Sequence, residues 1–237
     1  MIRAIAVDID GTLTDTKRVL DPLALSAISK IKVPVILVSG NTHCFTRSTA
    51  ILLGTSFSFI AENGGVISYD DDTIECLSDK SICDEAYQHL GRVFQAELLD
   101  SRYRMTDVVL KRSFSVEEGN RYLDGLGLPV DLVDTDFAIH IKDRRVNKGA
   151  ALLRIMEFLG ICGEEVASVG DSINDIPMFE AAGFRAAVGN ASPELKAISD
   201  YVARELYGRG FAEIVDYMIE NGMFEAEDAK TGLDMIF

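Results

Sequence analysis

Ile2-Arg3-Ala4-Ile5-Ala6-Val7-Asp8-Ile9-Asp10-Gly11-Thr12 is the stretch around which the rest of this chain can be ordered. Five of the six residues at 2–7 are apolar with little polar alternation, the pattern of a strand buried on both faces. It runs into two carboxylates spaced i, i+2, which in an extended chain project to the same side. Gly11 permits a sharp turn at a φ that other residues avoid. Two acids crowded at the end of a buried strand are unfavourable unless a cation or a chemical task compensates them. A bare Asp-x-Asp is most simply an acidic turn capping a helix. A second acidic cluster, Gly170-Asp171-Ser172-Ile173-Asn174-Asp175, follows another apolar segment, Val166-Ala167-Ser168-Val169, and the pair reverses that reading.

The chain has 237 residues, 48% apolar and 26% charged, enough for one large domain or two small ones with a real core. Its net charge of −15 argues against nucleic-acid binding, which needs a clustered basic face. The same charge repels anionic substrates at long range, so any phosphate site needs local cations. Cys44, Cys76, Cys83 and Cys162 lack metal or disulfide spacing, so reduced thiols in a cytoplasmic protein are expected. No apolar run reaches the ~18 residues of a membrane span, and no charged-then-apolar leader precedes the first strand, so no membrane partner is expected. His43, His89 and His140 are scattered, which disfavours a histidine-rich metal site.

Outward from the first strand, Asp21 at an N-cap position and Pro22 behind it open a helix. Leu23, Ala27, Ile28 and Ile31 form its apolar face. Pro34 precedes Val35-Ile36-Leu37-Val38, a second doubly buried strand ending in Ser39-Gly40-Asn41. Strand, helix and strand with small polar groups at one end make a βαβ unit with its site at the strand ends. Phe45, Thr49, Leu52 and Leu53 give the next helix its apolar face, and Gly54 stops it. Residues 57–61 and 66–69 read as strands joined by Glu62-Asn63-Gly64-Gly65, a hairpin turn in the simplest reading and a substrate contact in the other.

After Asp70-Asp71-Asp72 the pattern changes. A helix (84–96), a strand (106–111), a helix (116–126) and two strands (130–133 and 137–141) follow, the last two joined by Asp134-Thr135-Asp136. This is an α+β module inserted in an α/β chain. The earlier pattern resumes at Asn147-Lys148-Gly149, with a helix carrying Leu152, Ile155, Met156 and Leu159 and ending at Gly160. After the strand before Asp171, Pro177 sits in the first turn of another helix. Strands at 185–188 and 201–202 flank a short helix capped at Ser192, and Phe211, Ile214, Val215 and Met218 line a final helix. The acidic residues after about 221 read as a loosely held tail.

Asp8-Ile9-Asp10-Gly11-Thr12, Ser39-Gly40, Lys148 and the Gly170 to Asp175 cluster, in that order over nearly the whole chain, resemble the haloacid dehalogenase superfamily of phosphatases. The spacing and the Glu62-Asn63-Gly64-Gly65 stretch resemble its Cof-like branch, and the short insert is most similar to that of archaeal phosphoglycolate phosphatases. The resemblance implies an α/β fold: a doubly wound, Rossmann-like parallel-sheet core from residues 1–80 and 147–237, with 81–146 as a C2-type α+β cap closing over the active site. It further implies Mg²⁺-dependent hydrolysis of a small phosphorylated metabolite. Phosphoglycolate is the best single substrate, and a sugar phosphate or other small phosphometabolite is the alternative.

The oxygens of a phosphomonoester repel incoming anions, so its site must neutralise them and hold a nucleophile in line. Asp8 suits the nucleophile, forming an aspartyl phosphate that water later hydrolyses. Asp8, Asp171 and Asp175 are hard oxygen donors for Mg²⁺. The resemblance adds the backbone carbonyl of Asp10, leaving its side chain for general acid and base work. Ser39 can donate to a phosphoryl oxygen, and Lys148 brings a positive charge to the same group. Thr12 either adds a hydroxyl or serves the turn. Many relatives have Arg or Lys where Asn41 stands, so that cation is missing here. Asn190 either braces the acidic loop or forms a simple turn. A substrate carboxylate would need its own cation, expected among Arg102, Arg104, Lys111, Arg112, Lys142, Arg144 and Arg145 of the insert, most of which should be plain solvated charges. A response-regulator phosphoacceptor uses similar groups on a doubly wound sheet, but it has no need of the insert or of an Asp10 placed to hydrolyse the acyl phosphate. A phosphomutase or an idle relative on the same scaffold completes the alternatives.

Overall fold

The structure, a computed structural model, describes residues 1–99, 102–135 and 137–224. Strand β1 (Ala4–Asp8) is buried throughout, as its unbroken apolar run requires. Alternate side chains enter different cores: Ile5 and Val7 one, Ala4 and Ala6 the other. Helix α1 (Pro22–Lys30) starts where the Asp21 side chain accepts from Leu23 N, and leads into β2 (Val35–Val38). Helix α2 (His43–Leu53) ends on Gly54, which takes the left-handed φ of 66° that stops a helix. Strands β3 (Phe59–Ala61), β4 (Val66–Ser68) and β5 (Ile74–Cys76) then run as an antiparallel meander. The hairpin expected at Glu62-Asn63-Gly64-Gly65 is present, with Ala61 opposite Val66.

The insert packs helices α3 (Ser81–Leu90) and α4 (Val116–Gly125) on a three-stranded antiparallel sheet. Its strands are β6 (Val108–Leu110), β7 (Val130–Asp134) and β8 (Ile139–Asp143), in the order β6-β8-β7. Helix α3 stops at Leu90, short of the expected 96, because the chain turns at Gly91 and brings Phe94 onto Phe114 and Tyr122. Asp136, part of the expected hairpin turn, lies outside the described residues.

Helix α5 (Lys148–Leu159), strand β9 (Val166–Gly170), helix α6 (Ile176–Ala181), strand β10 (Phe184–Ala187), helix α7 (Pro193–Ala197), strand β11 (Tyr201–Val202) and helix α8 (Tyr207–Glu220) complete the α/β layer. The large sheet has the order β11-β10-β9-β1-β2-β3-β4-β5. The first six of these strands are parallel. Helices α1, α2 and α8 cover one face and α5, α6 and α7 the other. This is the doubly wound α/β core the sequence predicts. The four cysteines are unpaired, and among the described residues no helix is long and apolar enough to cross a membrane.

Two apolar faces differ from expectation. In α1 the buried residues are Ala24, Ala27 and Ile28, while Leu23 is half exposed. In α2 they are Thr46, Ala50 and Leu53, while Phe45 and Leu52 face outward. The tail is also held further than expected: Ile2 N donates to Met223 O at 2.7 Å, and Phe224 is buried beside β1. The remainder of that predicted tail, residues 225–237, lies outside the described residues.

Gly64 sits at φ 102°, and a Cβ there would lie 2.3 Å from the Asn147 carbonyl oxygen at the start of α5. Gly64→Ala should therefore cost about 2–4 kcal/mol, combining left-handed strain with overpacking. Gly127→Ala, left-handed but with open space around it, should cost only about 1 kcal/mol. Urea unfolding of both variants checks the difference.

Candidate active site

Chain order places the two neighbours of β1 at opposite ends of the sequence: β2 follows it directly, β9 arrives after the insert. The strand order reverses at that point, the place where open α/β sheets bind their ligands. The register sets Asp8 opposite Val38 and Val7 opposite Val169. Asp8, Ser39 and Asp171 therefore emerge side by side from three different segments.

Carboxylate oxygens of Asp8, Asp171 and Asp175 lie within 4.8 Å of one another. Lys148, 4% exposed at the first position of α5, donates to Asp8 Oδ1 and Asp175 Oδ1, both at 2.6 Å. The other Asp175 oxygen accepts from the backbone amides of Asp171 and Ser172 at 3.0 Å, closing the acidic loop on itself. Gly11 is needed at φ 89°, since a Cβ there would meet Asp171 Oδ2 at 2.3 Å. Asn190 bridges the Gly11 carbonyl and the Tyr207 amide, so it braces the first loop and not the acidic one. Thr12 is fully buried and its hydroxyl reaches Asp171 Oδ1 at 3.4 Å, where it props that carboxylate.

Three carboxylates share one ammonium, and the local charge balance shows it. Burial pushes the Asp8 carboxyl up, Lys148 pulls it back, and Asp175 and Asp171 push it up again, leaving it well above its ordinary value. Asp171 is pushed up to about 7, by burial first and the Asp175 charge second. Lys148 resists the opposing effect of burial because Asp175 and Asp8 hold its proton. With all groups ionised the cluster carries a net charge of minus two, the charge a divalent cation cancels, and oxygens alone are the ligand type that a hard cation prefers. The donor set fits Mg²⁺.

The Asp10 side chain turns away from this trio. Its Oδ2 accepts from Asn41 Nδ2 at 2.5 Å and its Oδ1 from Arg18 Nε at 3.0 Å. Ser39 Oγ accepts from the Asn41 amide and side chain, at 3.0 and 2.8 Å, and among the described residues its own hydrogen has no acceptor. Arg18 Nη2 also donates to Asn41 Oδ1 at 2.7 Å, so a cation reaches the Asn41 position from another part of the chain.

The insert is joined to this site through buried polar groups. Glu62, 1% exposed, accepts from Met105 N, Thr106 N and Thr106 Oγ1. Arg104 donates to the Gly40 carbonyl at 3.0 Å and pairs with Asp107, which also accepts from His140. Of the cations expected to meet a substrate carboxylate, Lys111 pairs with Glu97, Arg112 with Asp134, Arg144 with Asp124 and Asp131, and Arg145 with Asp143. Lys142 donates to the Val146 carbonyl, and Arg102 is exposed. Arg104 alone of the seven has a contact of this kind with the Ser39-Gly40-Asn41 turn among the described residues.

Residues 5–112 and 133–215 match the haloacid dehalogenase-like hydrolase family. A phosphoglycolate phosphatase of Methanothrix thermoacetophila is 58% identical over 94% of this chain and 100% of its own length. That of Archaeoglobus fulgidus is 46% identical over 91% of this chain and 96% of its own. Among solved structures, a Thermoplasma acidophilum protein superposes with a TM-score of 0.84 at 25% identity, covering 92% of this chain and 99% of that one. The chain belongs to the haloacid dehalogenase-like hydrolases. It is a phosphatase of that family, in the Cof-like branch, and its substrate is a small phosphorylated compound.

Without a divalent cation, ionised Asp171 is a cost to the folded chain. Its folded proton affinity is raised, so between about pH 4 and about 7 the folded state holds more protons than the unfolded one and is stabilised as pH falls. His43, lowered by burial and by Arg47, acts in the opposite sense below its ordinary value, so the effect is best read as a difference between variants. In EDTA, Asp171→Asn should be more stable than wild type by at least about 1 kcal/mol at pH 8, and the gap should close toward pH 5. Saturating Mg²⁺ should reverse the order by binding folded wild type. Thermal unfolding at the two pH values checks both.

Proposed function

We propose that this protein hydrolyses 2-phosphoglycolate to glycolate and phosphate, with Asp8 as nucleophile. The observation that carries the reading is the meeting of Asp8, Asp171, Asp175 and Lys148 at the switch point of the sheet. The substrate rests on the close relatives, which bear the name phosphoglycolate phosphatase at up to 58% identity over nearly their full length. Residues 1–80 and 147–237 form the catalytic core in this proposal, and 81–146 the cap that shelters the crevice from water.

Lys148 holds Asp8 Oδ1, which leaves Oδ2 as the attacking atom. The Asp8–phosphorus bond forms as the bond to the glycolate oxygen breaks, and Asp10 passes its proton to that oxygen. Asp10 then takes a proton from the water that attacks phosphorus, and the Asp8 carboxylate is released. Ser39, whose hydroxyl hydrogen has no acceptor among the described residues, and Lys148 meet the phosphoryl oxygens as charge shifts among them. Mg²⁺ is the proposed cofactor. It would be held by Asp8, Asp171, Asp175 and the Asp10 carbonyl, and when bound it supplies charge neutralisation between nucleophile and phosphate. Thr12 acts in this scheme through Asp171. A sugar phosphate on the same machinery is the alternative substrate class.

Asp8→Asn should abolish turnover while leaving the fold intact, because the amide fills the same volume without an anionic oxygen. EDTA should stop the wild-type enzyme and Mg²⁺ restore it, whereas Ca²⁺ should inhibit through its looser, higher coordination. Phosphate release from a panel of phosphomonoesters measures all three. Turnover by Asp8→Asn near the wild-type rate would end the covalent mechanism, and indifference to phosphoglycolate would end the substrate assignment.

A further inference from the structure

The turn after β1 carries a residue that local backbone preferences do not favour. Arg18 has φ 62°, in the left-handed region where glycine or asparagine is the ordinary occupant. Asp15 builds the turn by accepting from the Lys17 and Val19 amides, and the Arg18 side chain is thereby carried toward the crevice mouth. There its guanidinium donates from Nε to Asp10 and from Nη2 to Asn41. It also lies 5.2 Å from the ring centre of Phe45 on α2 and 5.7 Å from that of Phe137 on the insert. Both phenylalanines are otherwise exposed, at 42% and 65%, an arrangement with no packing rationale on either body alone.

We propose that Arg18 is the residue that reads the carboxylate of the substrate. This inference rests on the phosphoglycolate reading and deepens it. In 2-phosphoglycolate the carboxylate carbon is two bonds from the ester oxygen, the atom that Asp10 protonates. A cation for that carboxylate must therefore stand beside Asp10, and Arg18 Nε is 3.0 Å from its Oδ1. A guanidinium has five N–H donors. Nε and one hydrogen of Nη2 are engaged, and Nη1 with the second Nη2 hydrogen offers a forked pair that has no partner among the described residues. Such a fork matches a carboxylate bidentately. The two aromatic rings lie within cation–π reach of the guanidinium and favour its position at the mouth of the site. Backbone strain retained at such a place is the kind that function keeps.

Arg104 is the rival. Its Nε is buried without a partner, which speaks for it. Its charge, however, is already met by buried Asp107, at 2.9 Å from both carboxylate oxygens. Arg18 is instead paired with the side chain that must leave it to serve the ester oxygen, and that exchange makes room for a second carboxylate.

The test compares kcat and KM for 2-phosphoglycolate and for ethyl phosphate, which lacks the carboxylate, in wild type, Arg18→Gln, Arg18→Lys and Arg18→Gly. Wild type should prefer phosphoglycolate. Arg18→Gln should raise KM for phosphoglycolate at least about tenfold, roughly 1.4 kcal/mol, and so compress the preference. Arg18→Lys should restore part of it, as a charge without the fork. Arg18→Gly relieves the left-handed strain, so it should melt no lower than wild type yet lose the preference, which a merely structural arginine would not do. Glycolate should inhibit Arg18→Gln more weakly than wild type, with inhibition by inorganic phosphate retained. If wild type prefers phosphoglycolate and Arg18→Gln and Arg18→Gly keep that preference, the assignment to Arg18 is overturned and Arg104 inherits it. If wild type itself shows no preference, the substrate reading fails first and takes this inference with it.

Discussion

The rest of the site depends on one buried ammonium. Lys148 is 4% exposed and is shared between Asp8 and Asp175, groups that belong to segments 140 and 27 residues away in sequence. An ion so placed is tolerable only when its partners are close and fully engaged. It is also outnumbered by carboxylates, and that imbalance is what suits the cluster to a divalent cation. Stability and function are opposed here: the metal-free cluster stores unfavourable charge that binding relieves.

The surrounding loops exist to hold that arrangement still. Asn147 caps α5 by accepting from Ala150 N, which sets the direction of Lys148. Asp175 gathers the amides of its own loop, and Asn190 ties the turn after β1 to the start of α8. A second buried carboxylate, Glu62, performs the equivalent task for the insert, receiving three donors from Met105 and Thr106. Burial raises the Glu62 proton affinity and the nearby Asp107 charge adds to it, so those donors are what make the residue tolerable there. The side chains that orient the insert are thus continuous with those that build the crevice.

The differences from the sequence reading share a cause. Leu23 looks like a core residue by helical spacing, but α1 packs tightly against the first turn of α8, where a Cβ on Gly208 would lie 3.0 Å from Ala24 Cβ. Only small residues fit that seam, so Ala24 lies inside and Leu23 outside. Thr46 enters the core of α2 because its hydroxyl bonds back to the Thr42 carbonyl at 3.1 Å, an escape that hydropathy does not register. Strand β5 is short and half exposed, with no apolar run to announce it. Arg18 was invisible for another reason: nothing in a polar passage between two elements tells which side chain folds back over the strand ends.

Local chemistry along the chain determined the parallel core, the insert and the two acidic clusters, and the resemblance of the ordered motifs added Lys148 to them. Doubly buried strands need apolar runs, and paired acids at the ends of such strands are too costly to keep unless a cation meets them. Caps at Asp21 and Ser192 and stops at Gly54 and Gly160 were likewise readable, because their energetics are local to a single turn. Tertiary structure alone decided that Asp10 faces Arg18 and Asn41, that Thr12 props Asp171, and that Glu62 and Arg104 join the insert to the core. Each of those contacts brings together groups from different turns or different layers. Their geometry follows from how whole elements stack, and no spacing within one segment encodes it.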